Sequence, residues 1–341
     1  KVKKSVILLL WLLVVEIPAL YADHIKGGEI IYAFLGYDDP PTNNIAIYRI
    51  RLNLYLDCNA TGQQIDPSVA LTIFTNNGTA LQFRDTINIV MSSLGGRIRF
   101  DPASNKCIGN PPTDICYELK VYDRVIKLPV STYGYVIAYQ RCCRVEKIFN
   151  LEFPSDAQGA TYFAQIPGTS ILNKGYEHNS PELVHNEATA ICSGTNFSYS
   201  SAVQYKISDS VKYRFCPAFT GGSTAIPDPR VARSPFYELR YQAPFSGLQP
   251  LGPNVMIDSL TGQIRGKAPA IIGQYVMSVC IDEYREGKLF NIHRKDIHIA
   301  VSDCYALQAA LQPNYTFCED LKVTFRNELT NPLGKIGRAH V

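Results

Sequence analysis

The stretch Ala46-Ile47-Tyr48-Arg49-Ile50-Arg51-Leu52-Asn53-Leu54-Tyr55-Leu56-Asp57-Cys58 alternates apolar with mainly polar side chains. Its even-numbered positions from Tyr48 to Leu56 are all apolar, whereas Arg49, Arg51 and Asn53 stand between them. Successive side chains of a β-strand point to opposite faces of the sheet. The stretch therefore predicts a long strand that buries one face and leaves the other partly polar.

The same period of two recurs along most of the chain, and no stretch shows a convincing helical period. Short strands between Gly, Pro and Asn turns are typical of β-sandwiches of the immunoglobulin type, and closed barrels are the alternative. The tripeptide Asn76-Asn77-Gly78 predicts a tight hairpin turn. Besides 46–58, the predicted strands are 29–35, 70–75, 81–84, 115–125, 133–141, 161–166, 196–200, 211–215, 237–241, 255–258, 273–283 and 289–302.

The N-terminal residues 1–22 have the regions of a secretory signal peptide. Lys1, Lys3 and Lys4 precede an apolar run over 6–15, and small residues lead up to Ala22, where cleavage is expected. A transmembrane anchor is the weaker alternative, because this run is too short to span a hydrocarbon core of about 30 Å. Since no later segment has spanning length, we expect a secreted or cell-surface protein that is not inserted in a membrane after signal cleavage.

The net charge of +3 comes from the two ends of the 341-residue chain. Segments 1–22 and 335–341 hold five of the 33 basic and one of the 30 acidic residues, so the body between them has 28 basic and 29 acidic residues and a net charge of −1. A neutral body predicts no nucleic-acid partner. With 46% hydrophobic residues the chain can bury sizeable cores.

Ten cysteines in an exported chain predict structural disulfides. The chain lacks the Cys-x-x-Cys or Cys-x-x-His pairs that a zinc site would use. The adjacent Cys142 and Cys143 would point to opposite faces of a strand and so bond to different partners. The connectivity is left open, but the spacing favours Cys107 with Cys116 across a loop, and Cys192 with Cys216 and Cys280 with Cys304, each 24 positions apart.

No catalytic, cofactor-binding or metal-binding residue is predicted, and no cofactor. The motifs of serine hydrolases, metalloproteases, phosphate loops and dinucleotide-binding folds do not occur. His293 and His298 are five apart in an extended segment, so they face opposite sides and cannot share a metal. The loop that holds His178 and His185 could bind a cation, but a hydrogen-bonded loop is favoured. Residues 282–287 are interpreted as a solvated turn at the end of a strand.

Several strings together resemble the N-terminal region of large Bacteroidetes surface proteins. The opening Asp23-His24-Ile25-Lys26-Gly27-Gly28-Glu29-Ile30-Ile31-Tyr32 and the later Tyr139-Gln140-Arg141-Cys142-Cys143-Arg144 carry much of the likeness. Proteins of this group usually carry PKD-type repeats and a gliding-motility-associated C-terminal sorting domain for type IX secretion. The resemblance spans about residues 23–304 and includes the strings 55–58, 176–183, 257–264, 268–269, 273–285, 294–296 and 303–304.

The resemblance implies tandem immunoglobulin-like or cadherin-like β-sandwiches over 23–174 and 175–304. Segment 305–334 is similar to the start of a truncated third, PKD-like domain, and 335–341 looks like the translation of a sequencing adapter. Related modules often place an acidic calcium cluster before the strand 211–215. Only Asp209 remains there, and one carboxylate cannot supply the six to eight oxygens that calcium takes.

Two functions from different classes fit these features. The first is a non-catalytic structural or adhesive region of an exported bacterial cell-surface protein, linked to surface attachment or gliding motility, whose partner is a glycan or protein at the cell surface. The second is an accessory region of a secreted hydrolase with a catalytic domain beyond residue 334. That the segment is itself an enzyme is disfavoured, because no acid, base and nucleophile constellation stands out.

Overall fold

The protein is all-β, as predicted. The computed structural model describes residues 25–59, 66–101, 108–171, 173–183, 189–204 and 209–306. The predicted signal peptide, the adapter-like tail and all of the predicted third domain except Tyr305 and Ala306 lie outside the described residues. In these ranges the one helical element is a 3-10 turn over Ser155–Ala157. No helix of the described residues is long and apolar enough to cross a membrane.

The described part of the chain contains sixteen strands. In chain order they are β1 Ile25–Tyr37, β2 Ile45–Asp57, β3 Ser68–Asn76, β4 Leu81–Arg99, β5 Ile108–Gly109, β6 Cys116–Pro129, β7 Tyr135–Arg141, β8 Ala160–Ile166, β9 Thr189–Cys192, β10 Asn196–Ser200, β11 Ser210–Cys216, β12 Val255–Ile257, β13 Gln263–Lys267, β14 Gly273–Arg285, β15 Lys288–Ser302 and β16 Tyr305–Ala306.

The alternating stretch 46–58 forms the central strand β2, and its burial follows the predicted period. Tyr48, Ile50, Leu52 and Leu54 are buried, whereas Arg49 is exposed. Each fully buried Ile or Leu stabilises the fold by about 1.5–3 kcal/mol relative to an exposed one. The hairpin predicted after β3 is confirmed: Asn76 ends β3, and the Asn77 N–H donates to the Ala80 carbonyl at 3.3 Å.

Eleven strands join in one sheet with the order β11-β14-β15-β1-β2-β6-β4-β3-β7-β8, and β9 pairs with β15. Neighbours are antiparallel except β9 and β15, which run parallel. Strand β4 pairs with two different neighbours along its length. Its segment Leu81–Val90 pairs with β3, and its segment Met91–Arg99 pairs with β6. Strands from both predicted segments, 23–174 and 175–304, thus hydrogen-bond into one curled sheet.

The curl brings β8 over β1 and closes the main core. Tyr162 and Ala164 of β8 pack in one cluster with Ile30 of β1 and with Ile50 and Leu52 of β2. A second core lies where the small sheet β10-β13-β12 covers the β14 and β15 end of the large sheet.

One predicted strand is wrong. Residues 237–241 form no strand, because the segment 217–254 is rich in prolines, which cannot donate to a ladder, and makes only isolated bridges such as Leu151 with Tyr241. The segment instead packs on the outer side of β3 and β7, where Phe236 and Ala232 contact Phe74.

Candidate functional site

Strings from the opening, middle and end of the chain meet where β1 runs beside β15. The register pairs Gly27 with Ile297 and Gly28 with Asp296. A Cβ on Gly27 would come within 3 Å of the Asp296 carbonyl oxygen, so glycine is needed for this close approach. This short pairing of β1 with β15, called the crossing below, places charged side chains of both strands inside the protein.

On one side of this crossing, Glu29 is the centre of a buried charge cluster. Its carboxylate lies 3.3 Å from Lys295 Nζ and 3.2 Å from His293 Nε2. Asn53 Nδ2 donates at 3.4 Å and the Tyr55 hydroxyl at 3.5 Å. Glu29 is 5% exposed, and Lys295 and His293 are each 3% exposed, so the cluster is buried.

The cluster holds Glu29 in its charged form. Burial by itself would raise the pKa of the carboxyl group, but the Lys295 ammonium and the His293 hydrogen bond overcome it and lower the pKa to about 2. A buried charge is tolerated only when paired and hydrogen-bonded, and Glu29 meets both conditions. The group therefore ties β1 to β15 and β2 through its ionised oxygens.

On the opposite side of the crossing, Arg144 is fully buried against β15. Its Nη2 lies 2.5 Å from Asp296 Oδ2, and its Nη1 lies 3.4 Å from His298 Nε2. The Nε atom donates to the Gly159 carbonyl oxygen at 3.0 Å, which connects the pair to the residue before β8. One guanidinium thus joins three parts of the chain.

Burial controls the protonation of the two Arg144 partners. It lowers the pKa of His298 well below the usual 6.5, and the Arg144 and Lys26 charges lower it further. Burial also raises the pKa of Asp296, against the opposing effect of Arg144. The His298 imidazole is therefore neutral at physiological pH and can accept from the guanidinium.

A third buried pair corrects part of the interpretation of residues 282–287 as a solvated turn: Glu286 and Gly287 form an exposed turn, but Asp282 and Glu283 are buried. Strand β14 continues to Arg285, and Glu283 is 1% exposed. Its carboxylate lies 3.1 Å from His178 Nε2 and accepts from Asn291 Nδ2 at 2.7 Å. His178 Nδ1 in turn lies 2.7 Å from the Tyr32 hydroxyl. His178 thus sits in a hydrogen-bonded network, as favoured, and His185 lies outside the described residues.

The disulfides correct the pairings that spacing favoured. Cys116 bonds to Cys58, since β2 and β6 are neighbours, and Cys107 lies outside the described residues. Cys192 bonds to Cys304 because β9 runs beside β15, and Cys216 bonds to Cys280 because β11 runs beside β14.

Cys142 and Cys143 are bonded to each other, so the prediction of different partners is wrong. That prediction assumed a strand, but β7 ends at Arg141 and the two cysteines follow it in irregular backbone joined by a cis peptide bond. The alternation of strand side chains does not apply there. Cysteines 58, 116, 142, 143, 192, 216, 280 and 304 are disulfide-bonded.

The chemical role that these buried groups can fill is structural: they form ion pairs and hydrogen bonds that connect distant parts of the chain. Among the described residues, no group of three or more His, Cys, Asp or Glu side chains is arranged to hold a metal ion. His293 faces Glu29 and His298 faces Arg144, on opposite sides of β15 as predicted. Asp209, at which calcium binding was not expected from the sequence, accepts the Glu286 N–H at 2.7 Å.

Sequence reasoning did not single out Glu29, Lys295, Arg144 and Asp296 as a cluster. Charged side chains in strands were expected on the solvent face, and the strand order that makes them partners was unknown. The available signal was that all four lie in the strings that carry the family resemblance. No protein-family model matches the chain, and no curated protein matches it either.

Proposed function

We propose that the chain is a non-catalytic structural or adhesive region of an exported bacterial cell-surface protein. The observation that carries the proposal is the cross-connected interior: disulfides and three buried clusters of polar and charged side chains tie together strands that are far apart in sequence. A scaffold held in this way keeps its surface loops in fixed positions, which suits attachment.

Export is supported by the disulfides. Bonds such as Cys192–Cys304 persist in oxidising compartments and are rare in the cytosol. The predicted signal peptide 1–22 agrees with them. The proposal includes a location outside the outer membrane and an immunoglobulin-like or cadherin-like packing of the β-layers, with PKD-type repeats further along the protein.

An adhesive role is supported by apolar side chains on the surface. Phe153 is 85% exposed and Tyr237 is 68% exposed. Exposed aromatic rings offer apolar contact area for a protein or a glycan. The proposed partner is therefore a glycan or protein at the cell surface.

An attachment assay tests this function. Cells with an in-frame deletion of residues 23–304 are compared under flow with cells that carry the intact gene. We expect fewer deletion cells to attach, and restoration when the intact gene is returned. Equal attachment of both strains, together with loss of hydrolysis of an extracellular polymer in the deletion strain, would contradict the proposal.

A further inference from the structure

A surface pocket of about 130 Å³ opens on the outer side of β7. Gln140 lies at its base, because the neighbouring Tyr139 points into the main core and successive strand residues alternate. The other walls come from the proline-rich segment 217–254. The residues that line the pocket are Gln140, Gly222, Ser223, Ile226, Pro229 and Arg233.

The Gln140 amide fixes the position of Arg233. Its Oε1 accepts the Arg233 N–H at 2.9 Å, and its Nε2 donates to the Arg233 carbonyl oxygen at 3.2 Å. The preceding residue is also anchored, since the Ala232 N–H donates to Thr72 Oγ1 at 2.7 Å. The backbone that carries the Arg233 side chain is thus held from two strands.

The opposite wall is a closed turn. Ser223 and Ile226 exchange two backbone hydrogen bonds of 3.0 Å each, and the Ile226 N–H also donates to Ser223 Oγ at 3.1 Å. The Cys142 N–H donates to the Pro227 carbonyl oxygen at 2.7 Å, which fixes the turn to the end of β7. The pocket is therefore formed before any ligand arrives.

Among the residues that the structure describes, Arg233 is a cation on the pocket wall that is available to a ligand. Two nearby carboxylates are already paired with Arg141, which forms an ion pair with Asp66 and lies 3.6 Å from Asp228 Oδ1. In the described ranges no carboxylate lies within ion-pair distance of Arg233, whose side chain is exposed. The Ser223 hydroxyl accepts from Ile226, so its own hydrogen remains available as a donor.

We propose that this pocket binds one uronate ring of an acidic polysaccharide. The Arg233 guanidinium forms a fork that matches a carboxylate with two parallel hydrogen bonds. Ser223 donates to a ring hydroxyl, and the apolar surfaces of Ile226 and Pro229 pack on the C–H face of the sugar. This inference rests on the proposed adhesive function and names the chemistry of its partner.

Titration calorimetry on the full, disulfide-bonded chain tests the inference. The probes are trigalacturonate, its methyl ester, and a short peptide with a free C-terminal carboxylate. We expect trigalacturonate to bind and the methyl ester to bind at least about tenfold more weakly, because a charge-assisted hydrogen bond is lost. Binding only to the peptide, equal binding of the ester, or no binding to trigalacturonate would overturn the inference.

Two matched variants place the binding in this pocket. Arg233→Gln is expected to weaken trigalacturonate binding at least about tenfold. Its thermal midpoint should stay close to that of the wild type, because within the described residues the guanidinium forms no ion pair or side-chain hydrogen bond. Arg230→Gln removes an exposed arginine of the same loop that does not line the pocket, and binding should be retained. Equal weakening by both variants would contradict the inference.

If attachment requires 23–304 but uronate does not bind, the inference fails while the proposed function stands.

Discussion

Arg144 and Asp296 form an ion pair between parts of the chain that are 152 residues apart. Both side chains are buried, and the pair connects the irregular segment after β7 to the middle of β15. A buried pair of this kind need not make a fold more stable than an apolar replacement would. Once present, however, it strongly penalises the loss of either partner, since the other charge is left buried and unpaired.

Arg144→Met is therefore expected to lower the free energy of unfolding by about 3–5 kcal/mol. Urea unfolding followed by circular dichroism measures the change. Arg240→Ala is the control, because its partner Glu152 lies 3.7 Å away and both side chains are more than half exposed, so it should cost less than about 1 kcal/mol. Similar losses in the two variants would show that the buried pair is unimportant.

Glu29→Gln should destabilise the protein in a pH-dependent way. The pKa of Glu29 falls from 4.5 to about 2 on folding, so its charge contributes about 3 kcal/mol above pH 4.5. This contribution is lost as the pH falls from about 4.5 to about 2. The difference in unfolding free energy between wild type and variant should shrink over the same window. A constant difference down to pH 2 would rule out the lowered pKa.

His298 adds a second pH dependence at higher pH. Because its pKa is well below 6.5 in the folded protein, the unfolded chain binds a proton below pH 6.5 that the folded chain does not. Stability relative to a His298→Gln variant should fall with acidification by at most about 1.4 kcal/mol per pH unit. An NMR titration of His298 with a midpoint near 6.5 would contradict this expectation.

The disulfides predict a defined peptide map. Digestion without reduction should yield the linked pairs Cys58–Cys116, Cys192–Cys304 and Cys216–Cys280, with Cys142 bonded to Cys143. A Cys107–Cys116 peptide would contradict the structure.

Removing one long-range disulfide tests its contribution to stability. The double variant Cys192→Ala and Cys304→Ala should lose about 2–5 kcal/mol of unfolding free energy, because that bond closes a loop of 112 positions. The unchanged bond between Cys216 and Cys280 is the internal check that the fold is retained.

Strand positions were predictable from the sequence because they depend on local alternation. The predicted 46–58 and 196–200 match β2 and β10 closely. Disulfide partners were not predictable, because they depend on which strands become neighbours. The parallel pairing of β9 with β15 puts Cys192 beside Cys304, and no local pattern encodes that placement.

The buried charges escaped prediction for a related reason. In isolation, Lys295 and Asp296 read as polar positions of a half-exposed strand. Only the approach of β1 and of Arg144 from the two sides turns them into interior groups. Strand 237–241 failed in the opposite way, since its alternation is real but the surrounding prolines keep it out of a ladder.

Labelling of intact cells tests the central claim, a rigid region displayed on the cell surface, most directly. Cells that carry the gene are treated with a membrane-impermeant, amine-reactive biotin, and modified lysines are identified by mass spectrometry. The exposed Lys127 and Lys288 should be labelled on intact cells, whereas the buried Lys26, Lys120 and Lys295 should react only after unfolding. Labelling of Lys127 and Lys288 only after cell lysis would contradict display on the surface, and labelling of the three buried lysines on intact cells would contradict the rigid interior.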